Sequence, residues 1–180
     1  MSMIMKKIIL LIAFISISIL GKAQCNLPYK PLSEFSKDTT AFIIYNFMDR
    51  KDCYKGKTLK EVTIDLGIPV IDYTRADIER GNLFGYIYIY IYDDSIVRKL
   101  WDSNKDDNAI RIFWETPINV RHPDYKRLIG TDWDKAYEYM KDMQIKELEV
   151  PISRYSKYYE KYKEKETKSY DPNKRKEGVW

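Results

Sequence analysis

The chain has 180 residues, of which 44% are hydrophobic and 32% are charged, with 31 Lys and Arg against 27 Asp and Glu. This length is sufficient for one domain that builds its own core. The basic excess lies at the two ends, because residues 153–180 carry a net charge of +4 whereas residues 24–152 carry −3. A nucleic-acid-binding protein has a coherent basic face across its folded body, so this class is excluded.

The first residues predict a secretory signal peptide. Lys6 and Lys7 form a positive segment, residues 8–20 are 13 apolar or small residues in a row, and small residues precede the predicted cleavage site. A membrane span is the competing interpretation, but it needs about 18 or more apolar residues. We therefore expect residues 1–23 to be removed after Ala23, which leaves 157 residues in the periplasm or outside a bacterial cell.

Cys25 and Cys53 are the only two cysteines. Lys22 and Gln24 occupy the positions where a lipobox needs a Leu-like and a small residue, so we expect no lipid anchor on Cys25. Exported compartments are oxidising, and two cysteines allow a single connectivity. The sequence therefore predicts a Cys25–Cys53 disulfide, with two free thiols as the alternative.

The N-terminal third of the folded part is expected to be helical after an extended lead-in at residues 25–37. Asp38 or Thr39 can cap a helix that runs to about Arg50, although β-branched and aromatic residues in 40–47 also allow a strand.

A second helix is marked by the capping box Thr58-Leu59-Lys60-Glu61 and by Gly67 as its stop. Residues 68–73 then predict a short strand, in which Pro69 indicates a first position or a sheet edge.

The clearest element is a strand over residues 85–92, in which tyrosine and isoleucine alternate. Successive side chains of a strand point to opposite faces, so the tyrosines share one face and the isoleucines the other. The isoleucine face must be buried, and we place this strand centrally in the sheet. The tyrosines are either covered by a later helix or left open as a binding surface: Tyr86, Tyr88, Tyr90 and Tyr92.

Residues 108–115 alternate in the same way and predict a neighbouring strand, with Ile110, Ile112 and Trp114 opposite Arg111, Phe113 and Glu115. The connection, residues 93–107, holds a helical turn at 95–101 and then a polar stretch.

Thr131 and Asp132 can cap a further helix, residues 144–152 suggest a last strand, and residues 153–166 suggest a charged helix. Its tyrosines recur at helical spacing: Tyr155, Tyr158, Tyr159 and Tyr162. We expect disorder over 168–180. The mixed order predicts a single α+β domain over 24–152, with a small, mostly antiparallel sheet of three to four strands and two to four helices, followed by a tyrosine-rich helix and tail over 153–180.

Catalytic templates are incomplete in this sequence. Gly56-Lys57-Thr58 matches the end of a phosphate-binding loop, but Lys51 stands where that loop needs a glycine. His122 is the only histidine, and no nucleophile elbow or zinc-ligand spacing can be written. We therefore expect no cofactor and no metal.

Two carboxylate features remain. The cluster Asp102, Asp106 and Asp107 lacks the central glycine and terminal glutamate of an EF-hand, so we interpret it as a solvated loop. Glu115 is the nominee for a glycosidase-type carboxylate, although a glutamate at a strand end usually faces water.

The sequence thus favours an exported, non-catalytic binding domain that acts on a protein or glycan partner in the periplasm or cell envelope, similar in role to an immunity, inhibitor or accessory protein. The tyrosines of residues 86–92 are its candidate binding residues, because each ring offers apolar area with a polar tip. A small envelope hydrolase that uses carboxylates and a purely structural envelope protein are the alternatives.

Overall fold

The computed structural model describes residues 25–77, 83–119, 121–123 and 132–167. The predicted signal peptide and the predicted disordered tail lie outside these residues. Within them, no helix is long and apolar enough to cross a membrane.

The fold is a small α+β domain built on one antiparallel sheet, as predicted. Its four strands lie side by side in chain order: β1 (Asp72–Asp77), β2 (Leu83–Tyr90), β3 (Ile110–Asn119) and β4 (Ile145–Glu149). The described part also contains five α-helices: α1 (Thr39–Ile43), α2 (Leu59–Leu66), α3 (Asp94–Asp102), α4 (Trp133–Met140) and α5 (Tyr159–Thr167).

Residues 39–49 are helical, which confirms the predicted helix and not the alternative strand. The Asp38 carboxylate accepts a hydrogen bond from the Ala41 backbone N–H at 2.9 Å, and α1 continues as a π-helical stretch over Ile44–Asp49. Phe42 and Phe47 are fully buried. The preceding lead-in is less extended than expected, because Leu32–Phe35 forms a short 3-10 helix.

The predicted capping box is present at the start of α2. The Thr58 hydroxyl accepts from the Glu61 backbone N–H at 3.3 Å, while a Glu61 carboxylate oxygen accepts from the Thr58 N–H at 2.8 Å. Gly67 ends the helix with a φ of +60°, a left-handed conformation that glycine adopts without a steric penalty.

The strand expected at 68–73 begins later, at Asp72. Pro69 has no backbone N–H to donate, and Ile68 and Val70 pack against the core instead of pairing. The ladder starts where the Ile71 N–H donates to the Tyr90 carbonyl at 2.8 Å. The strand is an edge strand, as Pro69 indicated.

Strand β2 is central, and its isoleucines are buried as predicted. Ile87 pairs with Ile112 and Ile89 with Ile110 on β3, and all four side chains are at most 1% exposed. The helices α1, α2 and α4 contribute the opposing apolar side chains of this core.

The C-terminal helix is shorter than the sequence predicted, and its predicted tyrosines differ in burial. Residues 153–158 form turns, and the helix begins only at Tyr159. Tyr162 is 1% exposed and its hydroxyl donates to the Asp49 carboxylate at 2.8 Å, whereas Tyr155 is 56% exposed. The predicted helix is therefore shorter, because the chain before it follows tertiary contacts.

A disulfide joins Cys25 to Cys53, as predicted, and Arg50 reinforces it. Arg50 is 6% exposed, and its Nε donates to the Leu27 carbonyl at 2.9 Å. A second nitrogen of the same guanidinium donates to the Tyr54 hydroxyl at 3.3 Å. The lead-in is thus held by one covalent and several polar contacts.

Candidate functional site

The side of the sheet opposite the isoleucines carries an aromatic surface, which we name the tyrosine face. Tyr86 pairs with Phe113 and Tyr88 with Arg111 across β2 and β3, and Arg111 pairs with Glu149 on β4. Paired residues of antiparallel strands lie on the same side of a sheet. The face therefore consists of side chains from all four strands: Asp72, Thr74, Tyr86, Tyr88, Tyr90, Arg111, Phe113, Glu147 and Glu149.

Arg111 lies at the centre of the tyrosine face. Its guanidinium carbon is 4.9 Å from the ring centre of Tyr88, 5.6 Å from that of Tyr86 and 5.9 Å from that of Phe113. One terminal nitrogen donates to the Glu149 carboxylate at 2.9 Å. The arginine is thus fixed by one charged partner and three rings, a geometry that uses the planar guanidinium on both its edge and its faces.

The rings of the tyrosine face also pack on one another. Tyr88 and Tyr90 are stacked with ring centres 6.4 Å apart, and Tyr86 meets Tyr88 edge-on at 5.8 Å. Tyr86 and Phe113 lie 5.0 Å apart. Because neighbouring rings and Arg111 occupy the ring faces, the surface offered to a partner consists of ring edges and hydroxyl tips.

The pKa values of the Tyr88 and Tyr90 hydroxyls are raised above the ordinary tyrosine value, so both groups stay protonated over the physiological range. Burial raises the pKa of the Tyr88 hydroxyl, against the opposing charge of the Arg111 guanidinium. Burial also raises the pKa of Tyr90, and the nearby Asp107 carboxylate raises it further. A neutral phenol both donates and accepts hydrogen bonds, so these tips can pair with either kind of group.

Helix α4, which one of the two alternatives placed over the tyrosines, lies on the other side of the sheet. Tyr73, which pairs with Ile89, contacts Trp133 of α4 at a ring distance of 5.9 Å. Ala136 and Met140 of this helix are buried in the core. Within the described part of the chain, the ring contacts of Tyr86, Tyr88 and Tyr90 all come from strands β2 and β3.

Tyr92 does not belong to the tyrosine face. It follows the end of β2, packs against the core, and its hydroxyl accepts from the Asn108 amide at 3.5 Å. Conversely, Arg111, Phe113 and Glu149 were not singled out from the sequence as site residues. The alternation of residues 108–115 places Arg111 and Phe113 on one face, but the register against β2 is visible only in the structure.

The remaining candidate residues either have a structural role or lie away from the tyrosine face. Thr58 caps α2, and His122 and Glu115 are exposed side chains. Asp106 and Asp107 accept hydrogen bonds from the chain itself, from Ser153 N–H and from the Trp101 indole respectively. Among the described residues, no three His, Cys, Asp or Glu side chains are grouped as a metal site would require.

Comparison of the chain with protein-family models, with curated proteins and with solved structures finds no match in any of the three. The function therefore has to be inferred from the structure itself. That structure is a small α+β domain whose sheet has an aromatic face around a fixed arginine.

Proposed function

We propose that this protein is an exported, non-catalytic binding domain that recognises a protein partner through the tyrosine face. The observation that carries the proposal is the placement of Arg111, whose side chain is 26% exposed, among three partly exposed rings on the side of the sheet opposite the isoleucines. Tyrosine and arginine are the residue types that most often supply binding energy at protein interfaces. Here their rotamers are already fixed by mutual packing, so little side-chain entropy is lost on association.

The packing of the rings favours a protein over a glycan on this surface. A sugar ring binds aromatic side chains by lying on an open ring face. On the tyrosine face those positions are taken by Arg111 and by neighbouring rings. A protein surface can instead contact ring edges and exchange hydrogen bonds with the hydroxyls.

The size of the face indicates what the partner must also touch. The eight residues of β2 span roughly 26 Å and the four strands roughly 14 Å. The resulting area of roughly 360 Å² is less than half of the ~800 Å² that each side of a stable interface buries. The partner therefore has to reach the margins as well.

The margins of the tyrosine face are acidic, which suggests a partner with a basic rim. Asp72 lies beyond Tyr90 on β1, and Glu147 follows the face onto β4. Lys51 is 3.7 Å from Glu147 and offsets part of this charge, while Glu149 is already paired with Arg111. Charges at such margins affect the rate of association more than the affinity.

Export is supported by the Cys25–Cys53 disulfide, because such bonds persist in oxidising compartments. The expected location is the periplasm or the outside of the cell, which would place the partner in the envelope.

The test begins with a photo-crosslinking phenylalanine analogue at position 88 in the host cell, and with the same analogue at the exposed Tyr139 of α4 as a matched control. A protein captured only from position 88 is then purified and titrated against Tyr88→Ser and Arg111→Ala. We expect at least about a tenfold loss of affinity for each. A partner that binds both variants as well as the parent would overturn the proposal.

The two alternatives make different predictions in the same experiment. A hydrolase would turn over a substrate and lose this activity in Glu115→Gln or His122→Ala. A purely structural protein would give neither turnover nor saturable binding.

A further inference from the structure

A second aromatic region lies between the α3–β3 connection and the segment that follows β4. A cleft of about 320 Å³ is lined there by two exposed aromatic residues, two cations and two carboxylates: Trp101, Tyr155, Lys105, Arg154, Asp106 and Asp107. We name this feature the Trp101 cleft. Its volume is at the lower end of the ~300–1,000 Å³ that small-molecule sites occupy.

The Trp101 ring is fixed in place while its faces stay open. Its side chain is among the most exposed aromatic groups, at 53%, and its indole N–H donates to the Asp107 carboxylate at 2.9 Å. Within the described residues, Trp101 has no ring or cation packed on it. This differs from Tyr155, whose ring lies 4.8 Å from the Arg154 guanidinium carbon. Trp101 therefore offers a preoriented flat surface.

In the Trp101 cleft the two carboxylates are hydrogen-bonded to the chain, whereas the two cations are exposed. Both oxygens of Asp106 accept hydrogen bonds from the chain, from the Ser153 N–H and the Ser156 hydroxyl. Both oxygens of Asp107 are likewise used, by the Ala109 N–H at 3.0 Å and by Trp101.

Lys105 and Arg154, in contrast, are exposed, and neither has a carboxylate within ion-pair distance in the described part of the chain. The two carboxylates keep their negative charges but are already hydrogen-bonded, so the exposed cations are the groups with which an entering anion would pair.

The backbone around the cleft is not arranged for a phosphate. Phosphate sites use converging free N–H groups of the main chain. The N–H of Lys105 donates to the Leu100 carbonyl at 2.8 Å, and that of Ser153 donates to Asp106 at 2.9 Å. Recognition of an anion therefore falls to side chains alone, which suits a single carboxylate next to a ring.

From this geometry we propose that the Trp101 cleft binds an acidic saccharide, with a sugar ring on Trp101 and its carboxylate between Lys105 and Arg154. The cleft adjoins the tyrosine face, since Asp107 in its lining is close to Tyr90, but it uses a different ring and different cations, so one domain would engage a protein and a charged glycan through different side chains. The proposal does not depend on a protein partner being found.

The experiment titrates the purified chain with oligogalacturonate by calorimetry, and then with the methyl-esterified form of the same oligosaccharide, which keeps the rings and removes the charges. We expect the charged form to bind at least about tenfold more tightly, and its affinity to fall as salt is raised. In Trp101→Ala the affinity should drop about tenfold, and in Arg154→Gln about threefold. The indole N–H resonance of Trp101 should move on binding.

Two matched controls keep the experiment specific. Tyr139→Ala removes another exposed ring, and Arg98→Gln removes another exposed cation, and neither should change the affinity. Tyr88→Ser on the tyrosine face should also leave it unchanged, which separates this site from the proposed protein interface.

Several results would overturn the saccharide proposal. These are equal binding of the charged and esterified forms, undiminished binding by Trp101→Ala, absence of any heat at millimolar oligogalacturonate, and tighter binding of adenosine monophosphate than of the acidic sugar.

Discussion

The tyrosine face and the Trp101 cleft use aromatic side chains in opposite ways. On the tyrosine face the rings are half-buried against one another and around Arg111, so each ring contributes to the stability of the sheet as well as to its surface. In the cleft, Trp101 and Tyr155 are more than half exposed. We infer that an aromatic surface suits a protein partner when its ring faces are filled, and a flat ligand when its ring faces are open.

The largest effect is expected beneath the tyrosine face. Ile89 is 1% exposed on the core side of β2, next to Tyr88 and Tyr90 on the other side. Ile89→Asp buries an unpaired carboxylate and should cost about 4 kcal/mol or more, which abolishes cooperative thermal unfolding. Circular dichroism melting measures this, and a variant that melts like the parent would contradict the assigned strand faces.

The second-largest effect is expected from removal of the disulfide, which tests whether the two aromatic regions depend on the N-terminal lead-in. Replacing Cys25 and Cys53 together by Ala opens a loop with a sequence separation of 28. The free energy of unfolding should fall by about 3 kcal/mol. Denaturant unfolding measures the change. A loss of less than about 1 kcal/mol would mean that the polar contacts of Tyr45, Asn46 and Arg50 are sufficient to retain the lead-in.

Single substitutions in the two regions should differ in their effect on stability. Tyr88→Ser removes a stacked ring and should cost about 1–2 kcal/mol, because the Arg111 and Tyr90 contacts are lost. Trp101→Ala should stay within about 0.5 kcal/mol, because the side chain is exposed. Chemical unfolding of both variants sharpens the comparison. Equal losses would show that the cleft ring is also structural.

The smallest expected effect is the change in the ionisation of Tyr88 on folding. Burial raises the pKa of Tyr88, so the folded protein holds this proton more tightly than the unfolded chain does. Stability from this group is fully present below the unfolded value of about 10 and is lost as pH rises through the higher folded pKa. The absorbance difference between the parent and Tyr88→Phe at alkaline pH should therefore show an ionisation above pH ~10. A midpoint below that value would refute the burial of the ring.

Periodicity was sufficient for the central strands and insufficient for what depends on distant contacts. The alternation of residues 85–90 and 108–115 correctly separated the core side from the aromatic side, because a side-chain period of two is a local property, whereas Tyr92 follows the end of β2 and packs against the core. The position of Arg111 against Tyr88 depends on strand register, which pairing and turns decide.

Other differences from expectation also have tertiary causes. The segment 153–158 has helical composition, yet Asp106 takes the Ser153 N–H and the Ser156 hydroxyl, and the chain forms turns there. Trp101 lies at the end of the helical turn that the sequence indicates at 95–101, but its exposure on a cleft formed with residues 151–155 depends on a distant segment and was not predictable from its neighbours.

The order of the four strands has a consequence for how the protein folds. Each strand pairs only with the strand before or after it in the chain, although helix α3 lies in the β2–β3 connection and helix α4 in the β3–β4 connection. Folds dominated by such sequence-near pairings form faster than those that need distant segments to meet. The Cys25–Cys53 bond lies wholly upstream of β1 in the chain, yet the segment that follows Cys53 is hydrogen-bonded to the start of β4 through Gly56 and Lys57. In a chain that emerges N-terminus first, both cysteines would therefore be available before the first strand has emerged.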